Sequence, residues 1–171
     1  MAGFPVPEQA MQRWKVRAMA AFLAATALAM AGCASGPVRR VSEPAASIQQ
    51  LTVGPDGRWT VELRLQNFSN VAMHFDKVAL TLRAGTEDAG TLAASPALTV
   101  GPETADTTTV TLDPGAGARI VVAGALADHR NLDYVLEGTL TAGAQDKKAH
   151  DYKVRRASAL SPVPGLPGTL R

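Results

Sequence analysis

The stretch Trp59-Thr60-Val61-Glu62-Leu63-Arg64-Leu65-Gln66 alternates apolar and polar residues from Val61 onward. A period of two fits a strand with one dry face and one wet face. Lys77 to Arg83 repeats it, with Val78, Leu80 and Leu82 on one side and Ala79, Thr81 and Arg83 on the other. Thr107 to Leu112 is rich in β-branched residues, which suit a pleated surface. Leu132 to Leu140 and His150 to Arg156 read as two late strands. Turn signals separate these runs at Gly54-Pro55-Asp56-Gly57, Asn67 to Asn70, Gly85 to Asp88, Gly101-Pro102 and Gly143 to Lys148. Short strands at such spacing predict a mainly β chain folded as an antiparallel β-sandwich.

One segment departs from that pattern. Asp113-Pro114-Gly115 precedes AGARIVVAGALADHR. Asp suits an N-cap and Pro the first helical position. Ile120, Ala123 and Ala127 fall near one helical face, with Val122 and Leu126 beside it. A strand through Ile120-Val121-Val122 competes; the reading taken is one short helix.

The start of the chain follows a different logic. MQRWKVR, from Met11, is basic; about fifteen small apolar residues follow, ending at Gly32 and Cys33. This is the three-part layout of a secretory signal, and it falls short of the ~20 apolar residues of a stable membrane span. Residues 1–32 are therefore expected to be a signal peptide, with 1–10 an upstream extension and Met11 a candidate start. Removing them takes away Arg13, Lys15, Arg17 and Glu8, leaving fourteen basic and fourteen acidic side chains. A neutral chain with 5% aromatic residues argues against nucleic acid as a partner, since phosphate contact needs clustered cations and base stacking needs aromatics.

Met30-Ala31-Gly32-Cys33 resembles the lipobox of a bacterial lipoprotein precursor. The resemblance implies that Cys33 is joined to a diacylglycerol and becomes the acylated first residue. One acyl chain holds a protein only marginally, whereas two or three on one cysteine make attachment effectively permanent. Cys33 is the only cysteine, so an intramolecular disulfide is excluded. No His or Asp flanks it for a metal site, and a residue beside a signal segment lacks the folded electropositive setting of a catalytic thiol. Ala34 follows Cys33 where aspartate would hold a Gram-negative lipoprotein in the inner membrane. That implies the outer membrane, with the domain in the periplasm. Residues 33–46, rich in Gly, Pro, Ser and charge, read as the acylated cysteine and a flexible tether.

Residues 47–158 resemble the LEA type 2 family, also called the water-stress and hypersensitive-response domain. The residues that carry this are Leu63 to Asn70, where an alternating strand runs into a turn bounded by Asn67 and Asn70. Val78 to Leu82, Ala89-Gly90-Thr91-Leu92, Thr107 to Leu112, and Tyr134, Leu136 and Gly138 follow in the family's order. Phe68-Ser69 stands between the asparagines where the family carries a proline. The resemblance implies an immunoglobulin/fibronectin-III-like antiparallel β-sandwich with one short helix, a non-enzymatic role and a link to desiccation stress. Asn67 and Asn70 are read as turn residues that tolerate left-handed backbone and bond their own loop. Residues 159–171 form a Pro/Gly-rich tail, read as a coil over the domain or a flexible end, with an extended proline-rich ligand as the sharper alternative.

Motifs for chemistry are absent. His74, His129 and His150 lie in separate segments without ligand spacing. No Gly-x-Ser-x-Gly elbow occurs, and Pro114 to Ala118 lacks the Lys-Ser/Thr of a phosphate loop. Asp128-His129-Arg130 reads as a helix end rather than an acid–base pair. No cofactor, metal or nucleic acid is expected. The expected partners are a membrane, through Cys33, and envelope proteins: either clients protected under stress or the subunits of an assembly or transport complex.

Overall fold

Alternating sequence becomes antiparallel sheet throughout the domain. A computed structural model describes residues 38–171; Met30, Ala31, Gly32 and Cys33 lie outside the described residues. The elements are β1 (Ala45–Val53), β2 (Trp59–Gln66), β3 (Met73–Ala84), β4 (Glu87–Ala94), β5 (Leu98–Val100), β6 (Ala105–Leu112), α1 (Ala116–Ala127), β7 (Leu132–Ala144), β8 (His150–Leu160) and β9 (Thr169–Leu170). One sheet has the order β6-β2-β1-β9. The other has β4-β3-β7-β8, with β5 pairing the start of β3. All pairings are antiparallel. The fold of the described residues is a two-sheet β-sandwich of the immunoglobulin/fibronectin-III-like class, with a single short helix among them.

The core lies between the sheets. Trp59, Val61, Leu63 and Leu65 of β2 face Phe75, Val78, Leu80, Leu82, Leu136 and Leu140 of β3 and β7, and all are buried. Two bulges reset the side-chain phase. In β3 the buried positions change from odd (Met73, Phe75) to even (Val78, Leu80, Leu82), and the pairing register slips between Phe75 and Lys77. In β1 the change falls between Ile48 and Leu51, where the register slips between Ile48 and Gln50. An extra residue in one strand turns the remaining side chains to the opposite face. Gly138 is fixed by close approach: a Cβ there would lie 2.3 Å from the Ala79 carbonyl oxygen, and its φ of 154° disfavours any other residue.

Strand direction sorts the connections into two ends. One end carries the segment leading into β1 and the β2–β3, β5–β6 and β7–β8 connections. The other carries the β1–β2 and β3–β4 turns, α1, and the loop from β8 to β9.

Several expectations change. The helix forms, but Gly115, not Asp113, is its N-cap, and no side chain caps it. Arg119 explains this: it takes the Asp113 carboxylate and donates through Nε to the Pro114 carbonyl at 2.9 Å. The buried face is Ala118, Val122 and Ala125, whereas Ile120 is 74% exposed. Ala118 and Ala125 flank Val122 and, being small, let the helix lie close to the strands. Ala45 and Ala46, assigned from sequence to the tether, open β1, and Ala159 and Leu160, assigned to the tail, close β8. The tail itself returns as β9, with Leu51 opposite Leu170 and Thr52 opposite Thr169.

Candidate functional surfaces at the two ends

Asn67 organises the end where the chain enters. It is fully buried. Its Nδ2 donates to the carbonyls of Val71 (2.8 Å), Val100 (3.2 Å) and Gly101 (2.9 Å). Its Oδ1 accepts from the Ser69 amide at 2.8 Å. One side chain thus satisfies backbone groups of the β2–β3 and β5–β6 connections, which would otherwise be costly to bury. Asn70 works outward: its Oδ1 accepts from the Arg40 amide at 2.7 Å, and its own amide donates to the Arg40 carbonyl at 3.2 Å. Neither asparagine adopts positive φ; among the non-glycine residues Ala97, Glu103, His129 and Asp146 do. Of the two properties that suit asparagine to turns, these residues use side-chain bonding to the loop and not left-handed backbone.

Ser69 was missed by sequence reading. It is buried, its Oγ accepts from the Ser42 amide at 2.9 Å, and the hydroxyl donates to the Ser42 carbonyl at 3.3 Å. Tyr134 was noted only as part of a motif. Its hydroxyl accepts from the Ile48 amide at 3.2 Å, at the β1 bulge, and so ties one sheet to the other. A bulge leaves an amide without a ladder partner, and that was the available signal only once the register was known.

The opposite end carries a groove of about 930 Å³ between α1 and the β8–β9 loop. Its lining is chiefly apolar: Ala123, Leu126 and Ala127 from the helix, and Val163, Pro164 and Leu166 from the loop. Leu166 is half exposed. Turn hydrogen bonds between Val163, Leu166 and Thr169 shape the loop, and Thr169 and Leu170 pin its far side to β1.

The titratable groups stay dispersed. His74 Nε2 lies 2.9 Å from Asp76, and its Nδ1 is 3.0 Å from Thr99 Oγ1. His150 lies tilted against Tyr152 with ring centroids 4.1 Å apart. His129 follows the helix, where Arg130 turns back onto the Asp128 carboxylate. No three His, Cys, Asp or Glu residues among the described residues are placed to hold a metal ion. No helix among the described residues is long and apolar enough to cross a membrane. The Tyr152 hydroxyl is buried without a hydrogen-bond partner. Burial, and secondarily the charge of Glu43, push its pKa above the ordinary 10.0.

No family model matches the chain, and no curated protein does. Among solved structures, a crystal structure of a protein from Archaeoglobus fulgidus aligns with a TM-score of 0.42 at 13% identity, covering 72% of this chain and 98% of that one. A solution structure of a protein from Arabidopsis thaliana aligns with a TM-score of 0.41 at 13% identity over 76% of this chain and 83% of that one. A solution structure of a candidate late embryogenesis abundant (LEA) protein aligns with a TM-score of 0.42 at 14% identity over 98% of this chain and 95% of that one. The fold assignment rests on the strand order and register above, not on these distant likenesses.

Proposed function

We propose that the chain is an outer-membrane lipoprotein, anchored through Cys33, whose non-enzymatic LEA type 2-like domain binds and shields envelope components during drying or osmotic stress. The anchor is supported by Met30-Ala31-Gly32-Cys33 after a basic and an apolar segment. The stress role is supported by the run of motifs from Leu63 to Gly138. The observation that carries the binding role is the layout of the sandwich. The chain enters at the end built on Asn67 and Asn70, and the apolar groove beside α1 opens at the other. A groove at the end of the sandwich opposite the entry of the chain is open to apolar segments that partly unfolded clients expose. The outer face of the β1–β2–β6 sheet adds a polar surface, with Thr52, Thr60 and Thr111 in one row and Gln50, Glu62 and Thr109 in the next.

The test is to dry and rehydrate a drying-sensitive enzyme with residues 34–171, against an equal mass of an inert protein of similar size. Better recovery than the control, reduced by Leu166→Ser, is the expected result. Recovery equal to the control refutes the protective role. A second reading is an accessory lipoprotein of an envelope complex, for which small lipoprotein domains of this size are suited. That reading requires one stoichiometric partner in membrane crosslinking, and a protector requires many weak ones.

A further inference from the structure

Large exposed apolar side chains are few in the unit Arg39–Arg171, and they sit at its two ends. Ile120 and Leu166 belong to the helix end. Val41 (50% exposed) and Phe68 (48%) belong to the end where the chain enters. The segments bearing them run side by side: Arg40 and Asn70 exchange hydrogen bonds, and Ser42 and Ser69 do the same. Buried Asn67 holds the second segment in place through the Ser69 amide. Val41 and Phe68 thus stand on rigid, adjoining backbone, not on loose loops.

Charged side chains of both signs flank them, Asp146 and Glu103 among the acids. Arg39 and Arg40 precede Val41 in sequence. Arg39 Nη2 donates to the Gln145 carbonyl at 3.1 Å, which brings up the β7–β8 turn with exposed Lys147 and Lys148. Arg40 holds Glu103 at 2.9 Å in a pair open to solvent. Between Cys33 and Arg39 lie only residues 34–38. At ~3.3–3.6 Å per residue, that stretch spans at most about 20 Å when fully extended. The 13-residue β7, by contrast, is about 40 Å long at ~3.3 Å per residue.

We infer that the Val41–Phe68 end of the sandwich docks on the surface of an anionic phospholipid bilayer. This rests on the reading of Cys33 as a lipid anchor: with Cys33 in the bilayer, the tether keeps this end within about 20 Å of the headgroups in any orientation. Phe68 and Val41 enter the boundary between headgroups and acyl chains, and Arg39, Lys147 and Lys148 meet lipid phosphates. Docking holds the domain upright and presents the groove beside α1 away from the membrane.

The experiment uses the full chain carrying Phe68→Trp, Val41→Trp or Ile120→Trp, mixed with vesicles of phosphatidylglycerol and brominated phosphatidylcholine. Quenching is read against the parent chain, and the intact mass reports separately whether Cys33 carries lipid. The expected result is quenching at positions 68 and 41 at least about twofold stronger than at 120, weakened by Lys147→Glu with Lys148→Glu, as surface electrostatics demands. Quenching that is absent at 68 and 41, or equal at all three, overturns the docking whether or not Cys33 is lipidated, including the case in which a protein covers Phe68. Quenching at 68 with unmodified Cys33 upholds the docking and refutes the anchor.

Discussion

At the scale of single residues, this domain depends on a few polar groups that serve the backbone. Asn67 supplies both donors and an acceptor to four backbone groups of two connections. Asn67→Ala takes this partner from the Val71 and Val100 carbonyls and the Ser69 amide, while the Gly101 carbonyl keeps the Thr104 hydroxyl; it should cost about 2–3 kcal/mol in chemical denaturation, because desolvated and unpaired groups dominate such losses. Asn67→Asp keeps the acceptor for Ser69 but loses the donors, so it should not restore stability. Tyr152 is the opposite case. Its hydroxyl is buried without a partner, so Tyr152→Phe should be neutral or stabilising by up to about 1 kcal/mol. The pH dependence follows from the raised pKa in the folded state. Above about pH 10 the unfolded chain gives up this proton before the folded one does, so the contribution of Tyr152 is complete below that pH and is lost as pH rises through the folded pKa. Denaturation midpoints of Tyr152→Phe should therefore fall less steeply with alkaline pH than those of the parent. Parallel slopes would show that Tyr152 ionises alike in both states.

At the scale of elements, legibility followed phase. β2 alternates with no bulge along its pairing with β6, and its bounds, Trp59–Gln66, were readable directly. β3 was readable only from Lys77, because the slip between Phe75 and Lys77 throws Met73 and Phe75 out of phase with Val78 onward. β1 was hidden for the same reason, and β9 because two residues carry no period. Of the candidate site, Asn67 and Asn70 were legible as turn residues, but Ser69 was not, since its partner Ser42 lies 27 positions away. The groove was invisible because it joins a helix to a loop beyond β8. Helix α1 shows how tertiary contact overrides a local rule. Gly115 lacks a capping side chain, and a capping serine ordinarily adds about 1 kcal/mol. Here a Cβ would sit 2.8 Å from the Asp88 carbonyl oxygen. Gly115→Ser should therefore lower the melting temperature, measured by circular dichroism; a rise would mean that the β4 end yields readily.

At the scale of the whole molecule, the exposed edges are defended unequally. β8 carries Asp151, Lys153, Arg155 and Arg156, and Arg156 lies opposite buried Leu136, so it places a charge on the inward side of an edge strand. Charge of that kind discourages pairing with another chain. β1, AASIQQLTV, has no charge and no proline. The C-terminal part of its edge is covered instead by the returning tail: Leu51 and Thr52 pair with Leu170 and Thr169, and the Val53 amide donates to the Gly168 carbonyl at 2.8 Å. Arg171 closes the cover by donating to Gln50 Oε1 at 2.8 Å. The tail is therefore a structural part of the sandwich as well as a wall of the groove. A chain ending at Leu160 loses the burial of Leu170, worth about 2–3 kcal/mol, and uncovers an uncharged strand. It should melt at a lower temperature in calorimetry and self-associate with rising concentration in light scattering. Adding Gln50→Lys to the shortened chain should suppress the association without restoring the melting temperature, because a charge blocks edge pairing but replaces none of the lost packing. If the shortened chain instead stays monomeric at every concentration, the edge of β1 is protected by its own twist, and the tail serves the groove alone.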